Sequence, residues 1–144
     1  MKKLLFIFLM FSSSVFAADK ISTSWYNDLA VKGYDTVAYF TENAAVEGNK
    51  AHSYQWQGAT WRFSSNENLA LFKANPTKYA PQYGGYCAYA IASGSFAGIE
   101  PEQFTVVNGK LYLNYNHDIQ KTWKADRDNF IQMADKKWPA LLKK

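Results

Sequence analysis

The chain holds one cysteine, Cys87, inside the stretch APQYGGYCAYAIASG at residues 80–94. A thiol in that setting has three uses. It can ligate a soft metal such as Cu(I) as the thiolate, attack a disulfide or peroxide, or pack as a small hydrophobe. The run CAYAIAS suits a helix, and Gly94 is a natural stop after it. A helix starting near residue 86 puts Cys87 in its first turn, where unpaired N–H groups and the helix dipole favour a thiolate. Its neighbours Ala88, Ala90 and Ile91 suit the packing use equally well. One cysteine forms no internal disulfide, so redox work would require a partner thiol.

Other reactive side chains are sparse. His52 and His117 stand apart, without the spacing of a local metal site. Met133 sits at helical spacing and reads as core. Asp35 follows Gly33-Tyr34 and reads as a turn or cap residue. The metal set this leaves is Cys87 with Asp35 and His117. The alternative is a pocket walled by Tyr34, Tyr86 and Trp56 for a small ligand or for a protein partner in the same compartment. No Ser/His/Asp order, carboxylate pair or phosphate-binding glycine loop is visible, so binding reads ahead of catalysis.

The elements that must position these groups follow a leader. MKKLLFIFLMFSSSVFAAD has two lysines, a short apolar run and a small-residue cleavage site near Ala17, the pattern of an export signal over residues 1–17. Its removal leaves residues 18–144 as one domain, expected to be periplasmic or secreted, with no later run long enough to span a bilayer. Losing Lys2 and Lys3 takes the formal charge from +4 to +2, too little to argue for nucleic acid. The 25 aromatic residues, 5 Trp, 10 Tyr and 10 Phe, supply buried area in place of disulfides.

Residues 33–40, GYDTVAYF, read as a short strand, and 41–52 as a loop. Residues 53–65 alternate Tyr54 and Trp56, then Trp61 and Phe63, about Gly58, which is hairpin patterning. Ser64 with Glu67 reads as a capping box opening a helix with Leu69 and Phe72 inward and Pro76 at its end. Asn108-Gly109 marks a second hairpin in which Phe104, Val106, Leu111 and Leu113 share a face. Over 116–138, Ile119, Trp123, Phe130, Ala134 and Trp138 form one helical stripe, capped by Asn116 or Asp118 and stopped by Pro139. No internal repeat is visible. The sum is an α+β domain: a small, mostly antiparallel sheet with a short helix and a long C-terminal helix.

Three segments, VKGYDTVAYF, YQWQGATWRFSSNENLALFKANPTKYAPQYGGYCAYA and NGKLYLNYN, closely resemble the exported YHS-domain proteins, over about Leu29 to Trp138. The module core corresponds to about residues 33–79, with 80–144 as an extension. The resemblance implies a treble-clef-like core and the company of heavy-metal-transporting ATPases, hence soft-metal handling. Metal-binding relatives carry a C-G-M-like motif where this chain has Lys32-Gly33-Tyr34, and cysteines where it has Ser64 and Asn68. A histidine of some relatives falls near Trp56. Some members of this branch are described as selenoproteins, which implies a working sulfur at Cys87.

Overall fold

Two left-handed turns, each followed by a short helix, set the frame of the computed structural model, which describes residues 20–143. At the first turn Val31, Lys32 and Gly33 all have positive φ (50°, 52° and 81°), and the Tyr34 N–H donates to the Val31 carbonyl at 2.9 Å. At the second, Tyr83, Gly84 and Gly85 repeat this (59°, 63° and 84°), and the Tyr86 N–H donates to the Tyr83 carbonyl at 3.1 Å. Gly84 has a second reason to be glycine. A Cβ there would lie 1.8 Å from the Lys20 carbonyl oxygen, because the N-terminal strap crosses it and the Ser22 N–H bonds the Gly84 carbonyl at 2.8 Å.

The strand expected at 33–40 is a helix, α1, Thr36–Thr41. Asp35 overrides the β-branched composition by capping it, accepting from the backbone N–H of Val37 and Ala38. Four consecutive buried residues, Thr36 to Tyr39, then face inward, which a strand of period two would not allow. The expected loop gives way to strand at Asn49. β1 (Asn49–Trp56) and β2 (Ala59–Phe63) form the first hairpin, turning at Gln57-Gly58 as the alternation predicts.

α2 (Asn66–Ala74) follows, one residue later than the Ser64 cap requires. Ser65 caps it through the Asn68 N–H, because Ser64 is spent on Asp35. Phe72 is buried and Leu69 half-buried, as expected. Pro76 ends α2 and also opens a further turn, α3 (Pro76–Tyr79), at the first helical position.

After the second left-handed turn come α4 (Ala88–Ala92) and the hairpin β3 (Phe104–Val107) and β4 (Lys110–Leu113), closed at Asn108-Gly109. Phe104 pairs with Leu113 and Val106 with Leu111, so the four share a face. That face joins the first hydrophobic cluster with Trp61, Phe63 and Phe72, whereas Tyr112 points the other way into a second cluster with Trp123 and Ile91. The two hairpins are separate two-stranded antiparallel sheets rather than one sheet.

The single C-terminal helix is two: α5 (His117–Ala125), capped by Asn116, and α6 (Arg127–Leu141), parted at Asp126 with φ −142° and ψ 45°. Pro139 does not stop α6. It lies inside the last turn, where its missing N–H deprives only the Asp135 carbonyl. The class is α+β, and the hairpin-then-helix order of the core is as read. Among the described residues no helix is long and apolar enough to cross a membrane, and the leader reading falls on residues outside those described.

The architecture also contains a repeat that the sequence hides. The second hairpin turn, helix cap and helix break each fall 51 residues after the first: Gln57-Gly58 and Asn108-Gly109, Ser65 and Asn116, Asn75 and Asp126. α2 and α5 both have nine residues. The ring pair Trp61–Phe72 (5.0 Å) recurs as Tyr112–Trp123 (5.4 Å).

Candidate functional site

Three neighbourhoods hold most of the chemistry-bearing residues. The first surrounds Asp35, fully buried as the cap of α1. Its Oδ1 accepts from the Val37 and Ala38 N–H groups (2.9 and 3.1 Å). Its Oδ2 accepts from the Ser64 N–H (2.8 Å), the Ser64 hydroxyl (2.6 Å) and Asn68 Nδ2 (2.8 Å). Five donors saturate the carboxylate, and its task there is structural. Sequence reasoning foresaw the cap but not the use of Ser64 and Asn68. The signal available was a polar residue on either side of the Ser65 cap, Ser64 just before it and Asn68 in the first turn after it.

The second neighbourhood holds Cys87, the cap residue of α4 rather than a member of its first turn. Its N–H donates to the Ala97 carbonyl at 3.0 Å and its Sγ donates to Asn114 Oδ1 at 3.6 Å. Although only 1% exposed, it lines a cleft of about 250 Å³ with Tyr89, Ala90, Tyr115 and Ile119. His117 is exposed at the start of α5. Cys87, Asp35 and His117 are not brought together, and among the described residues no three His, Cys, Asp or Glu side chains are grouped so as to hold a metal ion. His52 is half-buried on β1, its Nδ1 2.9 Å from Asn66 Oδ1.

The third neighbourhood is a cleft of about 500 Å³ between the tip of the first hairpin and α6. Trp56, Tyr83 and Trp138 line it, with Lys20, Lys110 and Asp135 as its charged groups. Asp135 Oδ1 accepts from the Tyr83 hydroxyl at 2.8 Å. Burial, then this bond and the charge of Asp135, push the Tyr83 phenol far above its ordinary value, so it stays a donor. Tyr83 packs edge-on against Trp138 with ring centroids 6.1 Å apart.

Of the three residues read as a ligand wall, only Trp56 reaches this cleft. Tyr86 packs edge-on against Phe96 (4.9 Å) and beside Trp138 (6.0 Å). Tyr34 donates to Glu102 Oε1 at 3.3 Å. Burial, then the Glu102 and Glu47 carboxylates, raise its pKa. The missed members, Lys20, Lys110, Asp135 and Trp138, come from distant segments that only the fold joins.

With this geometry in place, comparison with known proteins finds a family model described as YHS domain matching residues 37–83, from within α1 through Tyr83. No curated protein and no solved structure matches the chain. YHS domains are associated with metal handling. Among the described residues the candidate donors do not fit a metal ion: Asp35 is saturated, His117 is apart, and the Cys87 sulfur meets an amide oxygen, a hard donor.

Proposed function

Taking the chain as the YHS-domain-containing protein that the match over residues 37–83 makes it, we propose that it is an exported binding protein for a small planar organic anion, held in the cleft between the first hairpin and α6. The observation that carries this reading is the convergence of Trp56, Tyr83 and Trp138 on one 500 Å³ cleft. Aromatic walls with a few placed polar groups, at a seam between two parts of a fold, are the usual setting for a small-molecule site.

The charge selects an anion. Lys20 and Lys110 line the cleft against one carboxylate, Asp135, whose Oδ1 is already occupied by Tyr83. An acid with a flat apolar body meets ring faces with that body and an ammonium group with its charged end. The leader motif supports export. Soft-metal binding through Cys87, which the sequence also suggested beside thiol redox chemistry, has the domain's association in its favour, but among the described residues no three His, Cys, Asp or Glu side chains are grouped to hold the ion.

Calorimetric titration of the mature protein with 1-naphthoate tests the proposal. We expect saturable binding, weakened about tenfold or more, roughly 1.4 kcal/mol, by Trp138→Ala and by the exposed change Lys110→Glu. Cys87→Ala leaves it unchanged. Equal binding by wild type and both cleft variants would sink the reading, as would no binding by wild type.

A further inference from the structure

The repeat of turn, short helix, hairpin and helix gives the residues of the first half's turns and helix caps counterparts in the second. Through the left-handed turns the offset is 52, so Asp35 corresponds to Cys87: each follows a Gly-Tyr pair and each holds the N-cap position of a short helix, Asp35 with a side-chain cap bond and Cys87 without one. Their N–H groups both bond a carbonyl beyond the helix, Val46 for Asp35 and Ala97 for Cys87. From the hairpin turn onward the offset is 51, so Ser64 corresponds to Tyr115 and Asn68 to Ile119.

In the first half these positions close on one another, since Asp35 Oδ2 accepts from both Ser64 and Asn68. In the second half the three counterparts do not close. Cys87, Tyr115 and Ile119 all line the same cleft of about 250 Å³. The space that the first half fills with an internal hydrogen-bond network is open in the second.

The chemistry of that space narrows what fits. No charged side chain lines it, so it offers nothing to an ion. Its surface is mostly apolar, from Tyr89, Ala90, Ala97 and Ile119. Next to the sulfur stands Asn114, wholly buried, whose Oδ1 takes the Cys87 contact while its Nδ2 has no hydrogen-bond partner. Native proteins rarely leave a buried amide N–H unmatched. Asn114 does not itself line the cleft, where Cys87 stands in its place, so an acceptor meets the amide where the lightly held thiol turns aside.

We propose that the second half is a diverged copy of the YHS unit and that its Cys87 cleft binds a small uncharged molecule with an apolar body and one hydrogen-bond acceptor. Asn114 donates to the acceptor, and Cys87, Tyr115 and Ile119 enclose the body. This site is separate from the aromatic cleft at α6 and stands whether or not an anion binds there.

The test is a ¹H–¹⁵N NMR titration of the mature protein with acetophenone, an uncharged aromatic ketone. The Asn114 side-chain amide resonances should move with saturation. Ser95→Trp, at the exposed rim of the cleft, should weaken binding about tenfold or more without altering the rest of the spectrum. A triple change, Cys87→Asp with Tyr115→Ser and Ile119→Asn, rebuilds the first half's network and should abolish binding. If it fails to fold, Ser95→Trp decides alone. Unmoved Asn114 amide resonances, or wild-type affinity in Ser95→Trp, would overturn the proposal.

Discussion

At Asp35 a single side chain serves five donors, so its loss costs more than any one bond. Asp35→Ala strands the N–H groups of Val37, Ala38 and Ser64 and uncaps α1. Breaking a buried charged network in this way costs about 3–5 kcal/mol. Ser64→Ala removes one hydroxyl that is exposed to water on its far side, and should cost about 1 kcal/mol. Urea unfolding of the two variants measures the ratio. Equal costs would mean that Asp35 is held by its cap alone. Cys87 presents the opposite case, since its thiol makes one long S–H bond to Asn114 and its backbone N–H is tied independently to Ala97. A thiol held so lightly is free to change partner, which a saturated carboxylate is not.

The same cap holds two helices of equal length at the element scale. Ser65 accepts from the Asn68 N–H and Asn116 from the Ile119 N–H, each three residues on. Ser65→Ala and Asn116→Ala should therefore each lower stability by about 1 kcal/mol, read from denaturant midpoints at constant slope. A cost confined to one of them would show that the other helix is held by packing. Both hairpins and the Asn116 cap were legible in the sequence because turn and cap chemistry is local. The helix at 36–41 was not, because Thr36, Val37 and Tyr39 favour strand until Asp35 caps them. The repeat was hidden for a related reason. Its backbone is kept by a few glycines and polar caps, while the packed pairs changed type, Trp61 to Tyr112 and Phe72 to Trp123. Of the candidate site, Trp56 and Cys87 could be found by residue type. Lys110, Asp135 and Trp138 could not, since no local pattern brings a hairpin turn to α6.

Across the whole molecule the two halves share one core, because Leu111 and Leu113 of the second hairpin complete the cluster of Trp61, Phe63 and Phe72 in the first. Neither half should unfold alone, and alkaline titration exposes this coupling. Tyr39 lies in that shared cluster, 1% exposed, with its hydroxyl donating to the Pro101 carbonyl at 2.8 Å. Burial first, then the Glu102 charge, push its pKa well above the ordinary value, and Tyr83 is shifted the same way in the second cluster. The sign follows from proton counts. Below about pH 10 both states keep these protons and the two groups add no pH dependence. Above it the unfolded chain releases protons that the native chain holds, so stability falls as pH rises, by up to about 1.4 kcal/mol per pH unit for each group. We expect the 295 nm absorbance of these tyrosines to rise together with loss of near-ultraviolet circular dichroism, in one transition spanning both halves. Tyr39→Phe removes one titrating group and should flatten the pH dependence by about one proton. Ionisation of Tyr39 with the tertiary signal intact, or a separate early step from either half, would contradict the shared core.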